Sequence, residues 1–79
     1  MKKVIIYSTP TCGYCHMAKD FFKEHNIDFT DYDVSADDAK RQEMIDRSGQ
    51  MGVPVIDIDG ELTIGFDEQK LAKLLGIIT

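Results

Sequence analysis

The first half of the chain alternates between a short apolar run and a helical pattern. Val4 to Tyr7 is an uninterrupted apolar run, which is typical of a short buried strand. From about Gly13 to His25 the apolar side chains recur every three or four residues, which predicts an amphipathic helix. Asn26 is suited to the left-handed turn that ends such a helix. The apolar stripe contains Tyr14, Met17, Ala18, Phe21 and Phe22, of which we expect Met17, Phe21 and Phe22 to lie in the core.

The next segment continues this alternation with a second strand and a second helix. Ile27 to Val34 has apolar side chains at alternating positions with one shift, which predicts a strand near the edge of a sheet. Ser35-Ala36-Asp37-Asp38 has the spacing of a capping box, S-x-x-D, so a helix should start there. That helix should run to about Ser48 and stop at Gly49. Its apolar face is thin and consists of Ala39, Met44 and Ile45.

The last third of the chain predicts a hairpin followed by a helix. Pro54 to Ile58 and Glu61 to Ile64 are strand-like runs on either side of Asp59-Gly60. This dipeptide favours the tight turn in which both central residues have positive φ. Asp67 is placed to cap a last helix, because a short polar side chain accepts hydrogen bonds from first-turn N–H groups. The apolar face of that helix contains Leu71, Leu74 and Leu75.

The order of elements is therefore β-α-β-α-β-β-α, in a single domain that spans residues 1–79. The first three elements form a βαβ unit, so we expect strands one and two to be parallel, with a right-handed crossover. The hairpin then adds two strands in mixed orientation, which makes an α/β fold with a mixed sheet. A Rossmann domain is excluded, because no G-x-G-x-x-G follows the first strand.

The two cysteines, Cys12 and Cys15, lie where the first strand gives way to the first helix. Residues three apart on a helix share a face, about 5–6 Å from each other, so modest adjustment allows a disulfide. The unpaired N–H groups and the positive dipole end of the helix favour a thiolate at Cys12. The same effect is weaker one turn later, at Cys15. The C-x-x-C therefore predicts a redox pair in which Cys12 attacks and Cys15 resolves.

Composition and charge narrow the range of partners. The 79 residues carry a net charge of −5, which divides into +1 over residues 1–30 and −6 over residues 31–79. No basic patch is present, so we do not expect nucleic acid as a partner. No apolar run approaches the length of a membrane span or of a signal-peptide core, and two cysteines are too few for a secreted disulfide scaffold. We therefore expect a cytoplasmic protein that does not associate with membranes.

The chain resembles a glutaredoxin over nearly its whole length. The resemblance rests on three motifs at the spacings of that family, namely Tyr7-Ser8 with Cys12-x-Tyr14-Cys15, Val53-Pro54 before the hairpin, and Gly65-Phe66-Asp67 after it. It implies a thioredoxin fold, which is a four-stranded mixed sheet with three helices on its two faces. It also implies that the Val53–Pro54 peptide bond is cis and lies beside Cys12. The Val53 backbone would then pair with an extended substrate.

The same resemblance implies glutathione as a co-substrate, with no tightly bound cofactor and no metal. The residues implied to bind glutathione are Tyr14, Arg41, Val53, Pro54, Gly65 and Asp67. Arg41 corresponds to a family position that binds the glycyl carboxylate, and Asp67 to the position that binds the γ-glutamyl amine. Thr9 stands where the family usually has lysine, so we expect weaker glutathione binding than is usual in the family.

Other functions use some of the same residues. The run from Cys12 to His16 matches C-x-x-C-H, but haem attachment needs export and a distal ligand, and a hairpin does not suit a helical cytochrome. One C-x-x-C with two histidines makes a poor tetrahedral zinc site.

Gly13 replaces the proline usual in the family motif, which leaves open a glutathione-dependent iron–sulfur cluster shared between two chains. Gly65-Phe66 also resembles small redoxins that serve ribonucleotide reductase and are reduced by thioredoxin reductase.

The sequence therefore predicts a monomeric dithiol–disulfide oxidoreductase that reduces protein disulfides, glutathione mixed disulfides or both. The Cys12 thiolate forms a mixed disulfide with the substrate, and Cys15 or a glutathione thiolate resolves it. The expected partners are glutathione and disulfide-containing client proteins, with thioredoxin reductase as partner in the redoxin alternative.

Overall fold

A computed structural model describes residues 3–77, with four strands and three helices in the predicted order. The strands are β1 (Val4–Ser8), β2 (Thr30–Asp33), β3 (Val55–Ile58) and β4 (Glu61–Ile64). The helices are α1 (Gly13–Glu24), α2 (Asp38–Ser48) and α3 (Glu68–Leu75). Within residues 3–77 no helix combines the length and the apolar character that crossing a membrane requires.

The four strands form one mixed sheet in the order β2-β1-β3-β4. β1 is parallel to β2 and antiparallel to β3, and β3 is antiparallel to β4. The parallel first pair, the edge position of β2 and the overall architecture confirm the predictions. The hairpin turn is also as predicted, because Asp59 has φ 51° and Gly60 has φ 93°.

The core lies on both faces of the sheet, because successive side chains of a strand point to opposite sides. On one face, α1 and α3 cover the strands and bury Val4, Ile6, Ala18, Phe21, Phe22, Ile56, Ile58, Leu71 and Ala72. On the other face, α2 covers the strands and buries Tyr7, Val34, Met44 and Val55. We call these the α1–α3 face and the α2 face.

The second strand is shorter than predicted, and the prediction of a strand from Ile27 to Val34 was wrong for its first residues. Asn26, at φ 56°, ends α1 in the left-handed conformation that was expected of it. Its N–H donates to the Lys23 carbonyl (3.2 Å), and the Ile27 N–H donates to the Phe22 carbonyl (2.8 Å). These bonds close the end of the helix. The Ile27 N–H is therefore committed to α1 and is not available to the sheet.

The N-terminus of α2 is capped by Asp37 and not, as predicted, by Ser35. The Asp37 carboxylate accepts a hydrogen bond from the Lys40 N–H at 3.0 Å. Ser35 instead donates its N–H (3.0 Å) and its hydroxyl (2.5 Å) to the Asp33 carboxylate. This local turn, in which an aspartate accepts from the residue two positions later, competes with capping by Ser35. The predicted end of α2 at Gly49 is confirmed, with φ 76°.

Two further boundaries of the prediction need correction. β3 begins at Val55 and not at Pro54, because proline has no N–H to donate to a neighbouring strand. Met17 was expected in the core, but half of its surface (50%) is exposed. The residues of α1 that are buried are Cys15, Ala18, Phe21 and Phe22, so the buried stripe is rotated away from Met17.

Candidate active site

Cys12 is the residue that caps the N-terminus of α1. Its backbone is extended (φ −84°, ψ 112°), and its N–H donates to the Thr9 carbonyl at 3.3 Å. Its Sγ accepts a hydrogen bond from the Cys15 N–H at 3.1 Å. A helix start has N–H groups without backbone partners and the positive end of the dipole. The sulfur therefore occupies the position where a helix stabilises negative charge, as the sequence predicted.

Cys15 has a different environment, although it is only one turn away. It is fully buried, whereas Cys12 is partly exposed, and both are free thiols. Burial, and then the hydrogen bond and negative charge of Cys12, raise the pKa of the Cys15 thiol to about 12. Cys15 is thus a protonated thiol at neutral pH. In the reduced site, the accessible sulfur of Cys12 therefore lies near the buried, protonated thiol of Cys15.

A polar cluster that sequence reasoning missed lies near Cys15. Lys19 is one turn further along α1, with its side chain only 17% exposed, and its Nζ is 2.6 Å from Asp31 Oδ2. The Ser8 hydroxyl donates to the other Asp31 oxygen at 2.6 Å. The positive charge of Lys19 lowers the pKa of Cys15, against the larger effect of burial. The spacing of four residues between Cys15 and Lys19 was the signal in the sequence.

The Val53–Pro54 segment lies on the other side of the Cys12 sulfur. The peptide bond between them is cis, and the Val53 carbonyl is 3.8 Å from Cys12 Sγ. Both observations agree with the prediction from the family resemblance. The Pro54 carbonyl accepts a hydrogen bond from the Gly65 N–H at 2.8 Å, which brings Gly65 to this segment. Gly65 has φ 82°, a conformation that few other residues adopt readily.

Arg41 and Thr9 share a surface groove with Val53. The groove has a volume of about 240 Å³, and we call it the Arg41 groove; it is lined by Thr9, Val34, Ser35, Asp38, Arg41, Met44, Met51 and Val53. The structure thus brings Arg41 to the same groove as Val53, whose carbonyl lies near Cys12 Sγ. Asp38 was noted in the sequence as part of the capping box and not as a site residue, yet it lies one turn before Arg41 on α2. Its carboxylate offsets the charge of Arg41 within the groove.

Two of the predicted site residues, Tyr14 and Asp67, make no hydrogen bond or ion pair with Cys12 or Arg41 in the described part of the chain. Tyr14 is 64% exposed on the first turn of α1. Asp67 caps α3, as predicted, and accepts a hydrogen bond from the Lys70 N–H at 3.1 Å. Within residues 3–77, no group of three His, Cys, Asp or Glu side chains is arranged to hold a metal ion.

A second missed network attaches α2 to the sheet. Arg47 donates to Asp57 Oδ2 at 2.7 Å and to the Tyr7 hydroxyl at 3.1 Å. The Tyr7 hydroxyl in turn donates to Glu43 at 2.5 Å. The hydrogen bond to Asp57 raises the pKa of Arg47, and the one from Tyr7 lowers the pKa of Glu43. These groups hold α2, and with it Arg41, against the sheet.

The family model for glutaredoxins matches residues 4–63, which include both cysteines, Arg41 and the Val53–Pro54 segment. Among curated proteins, a glutaredoxin-like 8.6 kDa protein of Clostridium pasteurianum is 49% identical over 70 residues, covering 89% of this chain and 93% of the relative. Glutaredoxin 3 of Escherichia coli K12 is 41% identical, covering 86% of this chain and 82% of its own.

Two further likenesses are to a glutaredoxin-like protein and to a thioredoxin-like protein. The glutaredoxin-like protein NrdH of Lactococcus lactis subsp. cremoris is 32% identical over 74 residues, covering 90% of this chain and 97% of the relative. Among solved structures, a mutant of the thioredoxin-like protein BC3987 superimposes with a TM-score of 0.91 at 36% identity, covering 99% of this chain and all of the other.

Proposed function

The chain belongs to the glutaredoxin family, and we propose that it is a dithiol oxidoreductase that reduces protein disulfides and glutathione mixed disulfides through Cys12 and Cys15. The observation that carries the proposal is the inequality of the two cysteines. Cys12 is accessible at a helix N-terminus, whereas Cys15 is buried and protonated. We further propose that the protein works as a monomer in the cytoplasm, where thiols are kept reduced.

The reaction begins with the sulfur of Cys12. As a thiolate it attacks one sulfur of the substrate disulfide, and a bond forms between Cys12 Sγ and that sulfur while the substrate S–S bond breaks. The released substrate thiolate takes a proton from water. Before attack, the thiolate is held by the Cys15 N–H at 3.1 Å. The nearby Val53 backbone provides an edge for pairing with an extended substrate, as in strand addition.

Cys15 then resolves the mixed disulfide. Once Cys12 is bonded to substrate it no longer carries negative charge, so two of the effects that raise the pKa of Cys15 are removed. Cys15 loses its proton more readily, attacks Cys12 Sγ, and releases the second substrate thiol. Two electrons have passed from the protein, which now holds a Cys12–Cys15 disulfide. Two glutathione thiols, or a reductase, restore the dithiol.

Glutathione would bind along the Arg41 groove. The guanidinium of Arg41 is able to form two parallel hydrogen bonds with the glycyl carboxylate. Asp67 would pair with the γ-glutamyl amine from the start of α3. Thr9 and Asp38 line the groove and supply no positive charge. We therefore propose weaker glutathione binding than the family usually has.

Two cysteine variants test the proposed roles of Cys12 and Cys15. Cys12→Ser should abolish reduction of both a protein disulfide and a glutathionylated peptide, because no nucleophile remains. Cys15→Ser should retain reduction of the glutathionylated peptide, where a second glutathione resolves the intermediate, and lose reduction of the protein disulfide. Thr11→Ala, in the same exposed loop, is the control and should retain both activities. Retention of either activity by Cys12→Ser would contradict the proposal.

A second candidate differs in the reductant. Among the residues that line the Arg41 groove, Arg41 is a cation and Asp38 is a carboxylate, and a relative named NrdH covers 90% of the chain. Both favour a redoxin that receives electrons from thioredoxin reductase and passes them to a client such as ribonucleotide reductase. Reduction of the oxidised protein should be compared with glutathione plus glutathione reductase, and with thioredoxin reductase, both using NADPH. Turnover with the second system only would select the redoxin.

A further inference from the structure

A second groove lies between α1 and α3, on the face of the sheet opposite the Arg41 groove. It has a volume of about 250 Å³, and we call it the acidic-rimmed groove; it is lined by Met17, Asp20, Phe21, Glu24, Phe66 and Glu68. Its floor is apolar, because the rings of Phe21 and Phe66 meet edge to face with centroids 6.1 Å apart. Met17 adds a half-exposed thioether to one wall. A side chain that is both flexible and apolar suits a surface that adapts to different partners.

The rim of this groove carries only negative charge. Asp20 and Glu24 lie one turn apart on α1, and Glu68 opens α3. All three are exposed, and within residues 3–77 none of them has an ion-pair partner. No lysine or arginine of the described segment lines the groove. An apolar floor with a rim of unpaired carboxylates is complementary to an apolar side chain that has cations beside it.

The groove begins next to the redox site. Met17 is one turn beyond the exposed Tyr14 on α1 and five residues beyond Cys12, which corresponds to about 7.5 Å along the helix axis. Phe66 directly follows Gly65, whose N–H is bonded to the Pro54 carbonyl. An extended chain advances about 3.3 Å per residue. A substrate residue two to four positions from the reacting cysteine is therefore within reach of the groove.

We propose that the acidic-rimmed groove docks an extended segment of a client protein, in which an apolar side chain flanked by lysine or arginine lies near the cysteine that Cys12 attacks. This inference rests on the proposed function and specifies its substrate class. The apolar side chain packs between Phe66 and Met17, and the cations lie against the carboxylates. The residues proposed to bind glutathione, from Arg41 to Asp67, are not among those that line this groove. The groove therefore selects among protein clients without affecting the glutathione step.

The test uses three synthetic peptides, each with one cysteine blocked as a mixed disulfide with a chromogenic thiol. All carry leucine three residues from the cysteine, and the residues beside the leucine are lysine, glutamine or glutamate. The full-length protein should reduce the lysine peptide with a kcat/KM at least about fivefold above that of the glutamate peptide, and the ratio should shrink at high salt. A small uncharged disulfide measures basal activity.

Two triple variants separate the groove from overall charge. Asp20→Asn with Glu24→Gln and Glu68→Gln should abolish the preference for the lysine peptide and leave reduction of the small disulfide unchanged. Asp28→Asn with Asp46→Asn and Glu61→Gln removes the same charge from exposed sites outside the groove and should keep the preference. Equal rates for the three peptides, or equal loss in both variants, would overturn the docking proposal alone. Failure of the unmodified protein to reduce the small disulfide would overturn the proposed function as well.

Discussion

The α1–α3 face of the sheet is packed with aromatic and aliphatic side chains, whereas the α2 face carries a hydrogen-bonded chain of polar and charged groups. On the first face, Phe21 and Phe22 lie between α1 and the strands. On the second, Arg47 connects Asp57 of β3 to Tyr7 of β1. Apolar burial is strong and non-directional, while hydrogen bonds between charged groups contribute less net stability and more geometric definition. We therefore expect the first face to set the stability and the second to set the geometry of the Arg41 groove.

The largest expected effect comes from opening a cavity on the α1–α3 face. Phe22 is fully buried, so Phe22→Ala should lower the free energy of unfolding by about 3–5 kcal/mol. Met17→Ala, on the same helix but half exposed, is the control and should change stability by no more than about 0.5 kcal/mol. Urea denaturation followed by circular dichroism measures both. Similar losses in the two variants would contradict the observed orientation of α1.

Breaking the α2 network should cost less stability. Arg47→Met leaves the nearly buried Asp57 carboxylate without its cation. This change should lower the free energy of unfolding by about 1–3 kcal/mol. Combining it with Asp57→Asn should recover part of that loss, because the unpaired charge is then removed. Urea denaturation of the single and double variants measures the recovery. A double variant less stable than Arg47→Met would contradict the assignment of the loss to the unpaired charge of Asp57.

A change at Lys19 tests the difference between Cys12 and Cys15 within the redox site. Because its positive charge lowers the pKa of Cys15, Lys19→Met should raise that pKa further. Less Cys15 thiolate is then present at neutral pH, so reduction of a protein disulfide should be slower than in the unmodified protein and should rise with pH in both. Reduction of a glutathionylated peptide by the same variant should be unaffected, since Cys12 and free glutathione suffice for it. Lys23→Met, on the exposed side of α1, is the control, and equal slowing there would contradict the role of Lys19.

The smallest effects should come from charge changes in the Arg41 groove, where solvent screens the interactions. Thr9→Lys or Asp38→Asn should lower the KM for glutathione, and Arg41→Ala should raise it, each by about two- to fivefold. Asp46→Asn, on α2 but outside the groove, is the control. Steady-state kinetics with a glutathionylated peptide measures these changes. If the three groove variants match the unmodified protein, the groove does not bind glutathione, and the redoxin reduced by thioredoxin reductase becomes the better assignment.

Local signals predicted most of the fold. The apolar run of β1, the Asp59-Gly60 turn and the glycine stop of α2 each depend on residues close in sequence, and each was found as expected. The errors arose where two local interactions compete for the same group. Ser35 donates to Asp33, and Asp37 caps α2 in its place. The Ile27 N–H donates to the Phe22 carbonyl at the end of α1 and is not available to the sheet. Met17 was misplaced because the buried stripe of α1 runs through Cys15, Ala18, Phe21 and Phe22 and leaves Met17 outside it.

By itself the sequence determined the order of the elements, the position of Cys12 at a helix start and the hairpin turn, because these follow from hydrogen bonds and periodicities within a few residues. Only the tertiary structure decided the burial of Cys15, the ion pair of Lys19 with Asp31, and the shared groove of Arg41, Asp38 and Val53. The acidic-rimmed groove is likewise formed by residues from α1 and the start of α3. These features depend on which distant segments pack together. Burial raises the pKa of the Cys15 thiol more strongly than its sequence neighbours Cys12 and Lys19 change it.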